Sequence, residues 1–291
     1  MKPVTPAIAL VLLLAAPAFA QTDAIGDGVA ELPIFDAHMH YKQPAWEPYP
    51  VATVIELMDR NGVAMAAVSS TPDDGTIRLR DYAPNRIVPL LRPYHGEAGS
   101  GNWTKAPGME TYIRERLEAY DHDGIGEFHV HNIDPADRPL LVAVAAMAKA
   151  RGIPIHIHSG AAPVRLFYEL EPALTVIWAH AGMSEPPSVV GEMLDSYASL
   201  HADLSYREWE ILGGGDDLDP QWRDVILRHP DRLMVGSDTW VNSQWDDYDG
   251  LIAQNRRWLA RLPRDIAERI AYRNAARLFG RDVSGKLIGT R

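Results

Sequence analysis

An α/β architecture, a (β/α)8 TIM barrel, is the fold this sequence predicts, and three observations lead to it. Eight short runs rich in β-branched and other apolar residues are spaced along the chain. Helical patterns fit between most of them, and such alternation favours a parallel sheet with crossover helices. The 291 residues are 46% hydrophobic and 23% charged, which suits one large core; a barrel of this kind takes roughly 250 residues as one domain.

The eight candidate strands are Pro33–His38, Ala64–Ser69, Ile87–Arg92, Ile125–His131, Ile153–His158, Leu174–His180, Leu200–Ser205 and Leu233–Ser237. Val51–Asn61 is the first candidate helix; Gly62 follows it and suits the left-handed residue that closes a helix. Met109–Tyr120 precedes the fourth strand, and Pro139–Arg151, followed by Gly152, precedes the fifth. Pro220–His229 precedes the eighth, and Tyr248–Leu262 and Pro263–Phe279 follow it. Asp265 sits in the first turn of that last helix, where the dipole favours an acid. The stretch Gly96–Pro107 reads as a long Gly-rich loop.

The N-terminus reads as a targeting segment. Met1 and Lys2 are a short basic start, Ala7 to Ala16 is an apolar run, and Ala18-Phe19-Ala20 fits small-x-small cleavage. The expected division is a signal peptide over residues 1–20, a leader over 21–32 and a barrel over 33–291. The apolar run falls short of the about 20 residues a bilayer span needs. The expectation is therefore a periplasmic or secreted protein, free of the membrane once cleaved. The chain has no cysteine, which excludes disulfides and a lipid anchor on Cys. Its net charge of -11, with no basic stripe, disfavours nucleic acid as a partner. A small-molecule substrate is the expected partner, and a homo-oligomer stays open.

Histidines and acids fall at the C-terminal ends of the candidate strands, the rim where a TIM barrel builds its site. In the first strand His38 and His40 are two apart and can share a face, so both can grip one cation. Alone, such a pair is more often a surface feature than a metal site. In the fourth strand Glu127, His129 and His131 alternate. A carboxylate in an apolar strand is costly unless a cation meets it, so Glu127 is either a metal ligand or the partner of an internal Arg or His. In the fifth strand His158 is nearer the rim and is the better ligand, whereas His156 lies deeper as an orienting or core histidine. His180 ends the sixth strand. Asp238 ends the eighth, where it can accept a proton from an attacking water. Arg92 and Tyr94 after the third strand, and Arg165 just beyond the fifth, are candidates for holding substrate; Arg165 could clamp a carboxylate bidentately.

These segments together resemble the amidohydrolase superfamily, in the amidohydrolase-related branch that also contains decarboxylases. The resemblance runs from Asp36 to about Gly280. It is carried by Asp36-Ala37-His38-Met39-His40, Ile155 to Gly160, Ile177 to Gly182, Gly236-Ser237-Asp238 and Arg273-Asn274-Ala275-Ala276-Arg277-Leu278-Phe279. It implies a divalent metal, zinc first and manganese second, as one or two ions. In the mononuclear form His38, His40, His158 and Asp238 are the ligands and His180 assists as acid, base or oxyanion stabiliser. With Glu127 bridging, His38, His40 and Asp238 hold one ion and His158 and His180 another. The implied activity is hydrolysis of an ester, lactone, amide or phosphoester by an activated water. A metal-dependent decarboxylase is the second reading, and a non-catalytic periplasmic metal- or ligand-binding protein the third.

Overall fold

The structure, a computed structural model, describes residues 31–283. The expected signal peptide and nearly all of the expected leader lie outside the described residues. Eight parallel strands follow one another in chain order around the sheet. They are β1 (Ile34–Met39), β2 (Val63–Ser69), β3 (Ile87–Leu91), β4 (Gly124–His129), β5 (Ile155–His158), β6 (Val176–Trp178), β7 (Leu200–Asp203) and β8 (Leu233–Met234). Separate backbone bonds bring β8 back to β1: Ala37 N–H donates to the Val235 carbonyl at 2.9 Å and Ser237 N–H to the His38 carbonyl at 3.1 Å. The result is the (β/α)8 barrel that the sequence predicts.

The helices are α1 (Val51–Arg60), α2 (Asp74–Tyr82), α3 (Met109–Ala119), α4 (Arg138–Arg151), α5 (Ala161–Leu170) and α6 (Pro187–Ser196), then α7 (Glu208–Ile211), α8 (Pro220–Arg228), α9 (Asn242–Asp246), α10 (Tyr248–Leu259), α11 (Arg264–Glu268) and α12 (Asn274–Leu278). Gly152 closes α4 with φ 65°, as its position after the helical pattern suggests. Asp219 caps α8, its carboxylate accepting from the N–H groups of Gln221 and Trp222. The sequence reading had no helix for α2, α5 and α6. The polar Asp74–Tyr82 run shows a weak apolar stripe, and Pro163 and Pro187 in first turns read as breakers although proline is tolerated there. The expected single helix Pro263–Phe279 is interrupted by a π-turn at Arg269–Arg273.

Two strands end early. β6 stops at Trp178 because His180 and Ala181 take φ 56° and 46°, left-handed values that no strand can continue through. β4 stops at His129, which leaves His131 exposed beyond it. A large apolar layer packs strands against helices, while a second cluster fills the barrel itself. In that cluster Phe35, Met65, Val88, Ile177 and Met234 meet Ala275 and Phe279 from the last helix, and the Phe35 and Phe279 rings stack at 5.9 Å. The barrel is thus plugged by apolar side chains at one end, and its polar residues gather at the other.

Candidate active site

Strand ends β1, β4, β5 and β6 and the turn after β8 deliver His38, His40, Glu127, His158, His180 and Asp238 to one place. His38 Nε2 and His40 Nε2 lie 3.2 Å apart. Asp238 Oδ1 is 2.9 Å from the His40 nitrogen and 3.4 Å from that of His38. Glu127 reaches both, with Oε2 3.4 Å from His40 Nε2 and Oε1 3.8 Å from His38 Nε2. His180 Nε2 stands 3.7 Å from Glu127 Oε1 and 3.8 Å from Asp238 Oδ2. Apart from His158, which is partly exposed, the other five are almost wholly buried.

The opposite edge of each ring fixes what these nitrogens can do. His40 Nδ1 is 2.5 Å from the Ser69 carbonyl, an acceptor, so Nδ1 carries the hydrogen. His38 Nδ1 faces Asp203 Oδ2 at 3.2 Å, and His180 Nδ1 faces the Ser205 carbonyl at 3.2 Å and its hydroxyl at 2.9 Å. The three Nε2 atoms therefore point lone pairs at one another and at two carboxylates. His180 Nε2 is buried without a hydrogen-bond partner. Acceptors gathered this way repel unless a proton or a metal cation sits among them, so the donor set fits a divalent metal.

Electrostatics agree. Burial acts to raise the Glu127 carboxyl, but the Arg92 guanidinium, with His158, His180 and His40, holds it well below the usual range. Burial also opposes ionised Asp238, and His38 and His40 outweigh it, bringing the group down to about 2. For His38 burial disfavours the cation, yet Asp203, Asp238 and Glu127 raise it to about 10. A proton on His38 is what a metal would displace. Asp203 is held well below the carboxylate range against burial by His38 and His156.

His158 lies apart from the His38–His40–Asp238 triplet. Its Nδ1 is 2.7 Å from Glu127 Oε1, its ring stacks on His129 at 4.0 Å, and its triplet is Glu127–His129–His158. His180 forms a triplet with His38 and Glu127. His156 is a buried core histidine bonded to Asp203 Oδ2 at 3.0 Å, and burial pushes it down to about 4.

A cavity of about 620 Å3 opens above these groups. Arg92 and Tyr94 line it, but both are engaged within the protein. Arg92 Nη2 donates to Glu127 Oε2 at 2.8 Å, and the Tyr94 hydroxyl accepts from His129 N–H at 2.7 Å and meets His129 Nδ1 at 2.9 Å. Arg165 is a correction. It belongs to α5, outside the cavity lining, and its Nη2 pairs with Glu192 of α6 at 3.0 Å, because the helix turns that side chain toward its neighbour rather than the barrel mouth. Asp203, missed from the sequence, holds His38 and His156 together. Its signal was available: an acid in the apolar run Leu200–Ser205, the same oddity that singled out Glu127.

Among solved structures the fold is shared with a probable 2-pyrone-4,6-dicarboxylic acid hydrolase of Acinetobacter baumannii, at TM-score 0.56 and 14% identity over 86% of this chain and 100% of that one. It is shared too with an organophosphorus hydrolase of Deinococcus radiodurans, at 0.55 and 15% over 87% of this chain and 94% of that one. A protein engineered for organophosphate hydrolysis from a weak promiscuous lactonase template gives 0.56 and 14% over 89% and 97%. A search of curated protein sequences returned no match. The sequence model of the amidohydrolase family (Amidohydro_2: Amidohydrolase) matches residues 35–281, a span that contains every residue of the site and all of the barrel strands but Ile34, the first residue of β1. The chain therefore belongs to the amidohydrolase family and is an enzyme of the hydrolase type.

Proposed function

We propose that the protein is an exported, metal-dependent hydrolase acting on an ester, lactone, amide or phosphoester bond of a small molecule, with a lactone or simple ester as first choice. The observation that carries the metal reading is the convergence of three imidazole lone pairs and two carboxylates, one nitrogen of them buried without a partner. His38, His40 and Asp238 would hold one ion. Glu127 with His180 offers an adjoining place, but Arg92 and His158 already meet the Glu127 charge, which favours one ion over two. When bound, a divalent ion such as zinc brings the pKa of water to about 7 and polarises the bond under attack. Asp238 presents Oδ1 to the two histidines, and its Oδ2 is left to take the proton of the attacking water and return it to the leaving group. His180 Nε2, buried without a hydrogen-bond partner, faces the same point and, once protonated, steadies charge developing on the attacked oxygen. The preference for a lactone draws on the neighbours described as a pyrone-dicarboxylic acid hydrolase and a lactonase template. Export draws on the pattern of residues 1–20 alone; among the described residues no helix is long and apolar enough to cross a membrane.

The test is elemental analysis of the purified protein, followed by assay of lactone, ester, amide and phosphoester substrates with zinc or manganese, with and without a chelator. Bound metal and a turnover that chelation abolishes and metal restores are expected. Metal-free protein that binds neither ion, or turnover indifferent to chelation, overturns the reading.

A further inference from the structure

We propose that Lys42 is the recognition group for a carboxylate that the substrate carries away from the bond being cut, and that the substrate is an organic monoanion with an apolar body. This rests on the hydrolase reading of the same cavity. The sequence offers Arg92 and Arg165 as cations for meeting an anionic substrate, and the cavity lining adds Lys42. Arg165 lies outside the cavity on Glu192. Arg92 is fixed to Glu127. Lys42 lines the cavity, is partly buried, and among the described residues makes no ion pair or hydrogen bond through its ammonium. Its Nζ lies 5.7 Å from the centroid of the Trp240 ring.

Burial and the Arg92 cation act against the Lys42 ammonium more than the Asp238 and Glu127 carboxylates, with which it makes no ion pair, act for it, so a half-buried ammonium of this kind gains when an anion arrives. One ammonium without an ion pair of its own matches a monoanionic carboxylate better than a dianionic phosphate. Part of the lining beside Lys42 is apolar: Met183, Tyr206 and Trp240 line the cavity while remaining 37%, 41% and 48% exposed. Trp240 Nε1 donates to the Tyr206 hydroxyl at 2.9 Å, which fixes the two rings relative to each other. The apolar body of the ligand covers that lining while its carboxylate reaches Lys42.

The probes are benzoate and its neutral isostere benzamide, measured by calorimetry on the metal-loaded protein, on Lys42→Met and on Lys42→Arg, with Lys42→Gln in reserve should the Met variant not fold. Benzoate is expected to bind wild type at least about tenfold tighter than benzamide, the neutral variant to lose at least about fivefold of benzoate affinity, and Lys42→Arg to keep most of it. Benzoate binding to the neutral variant within less than that fivefold, or wild type that prefers benzamide or binds neither, overturns the proposal. Binding is read without turnover, so a failed hydrolase assay and a failed Lys42 assignment are separate results.

Discussion

Asp203→Asn tests how the site holds its first histidine. Asp203 Oδ2 accepts from His38 Nδ1 at 3.2 Å and from His156 Nε2 at 3.0 Å, while Oδ1 accepts from Ser205 N–H at 3.2 Å and from the Ser205 hydroxyl. An amide has one acceptor and one donor end, so two of these four donors must face a donor. If the NH2 faces the rings, His38 is driven to the tautomer with its hydrogen on Nε2, the atom that would bind the ion. If it faces Ser205, the rings keep an acceptor but lose its charge, and Ser205 N–H is left unpaired. Removing such a partner of a ligating histidine costs about 10–100-fold in metal affinity, or about 1.4–2.7 kcal/mol. A buried N–H left unpaired costs about 1–3 kcal/mol of stability. The assay is a zinc titration against a competing chelator, with thermal melts of the metal-free protein. Zinc affinity within about threefold of wild type together with an unchanged melt refutes the argument that Asp203 sets the His38 tautomer.

Gly126→Ala is expected to destabilise the protein by at least ~3 kcal/mol, because Gly126 has φ 130° and an added Cβ would lie 2.0 Å from the His156 carbonyl oxygen; a denaturant melt close to wild type contradicts this. Arg165→Ala is expected to leave kcat/KM within about twofold and stability within about 1 kcal/mol, since its pair with Glu192 is at the surface, and a large loss of activity would return Arg165 to the site. Burial pushes the Glu208 carboxyl from 4.5 up to about 7, so the folded protein keeps a proton there that the unfolded chain gives up. Stability from this group falls as pH rises from 4.5 through about 7, and Glu208→Gln should gain relative to wild type in melts between about pH 5 and about pH 8. A constant difference across that window rules the idea out.

The barrel and the rim histidines were determined by local pattern. Apolar runs alternating with helical stretches fix a parallel sheet, and a His or acid at a strand end is visible in one dimension, as with His38, His40, Glu127, His180 and Asp238. The partners were not, because they are chosen by which strands become neighbours. Glu127 meeting Arg92 and His158, and Asp203 on β7 meeting His38 on β1, join residues 35, 31 and 165 positions apart along the chain. The same holds for Arg165 and Lys42. Each is a cation a few residues past a rim histidine, His40 or His158, and only the direction in which the backbone carries the side chain sends one to a neighbouring helix and leaves the other at the cavity. Chain composition sets which elements form, while closure of the sheet decides which charges are compensated, since an ion pair depends on distance in space and not along the sequence.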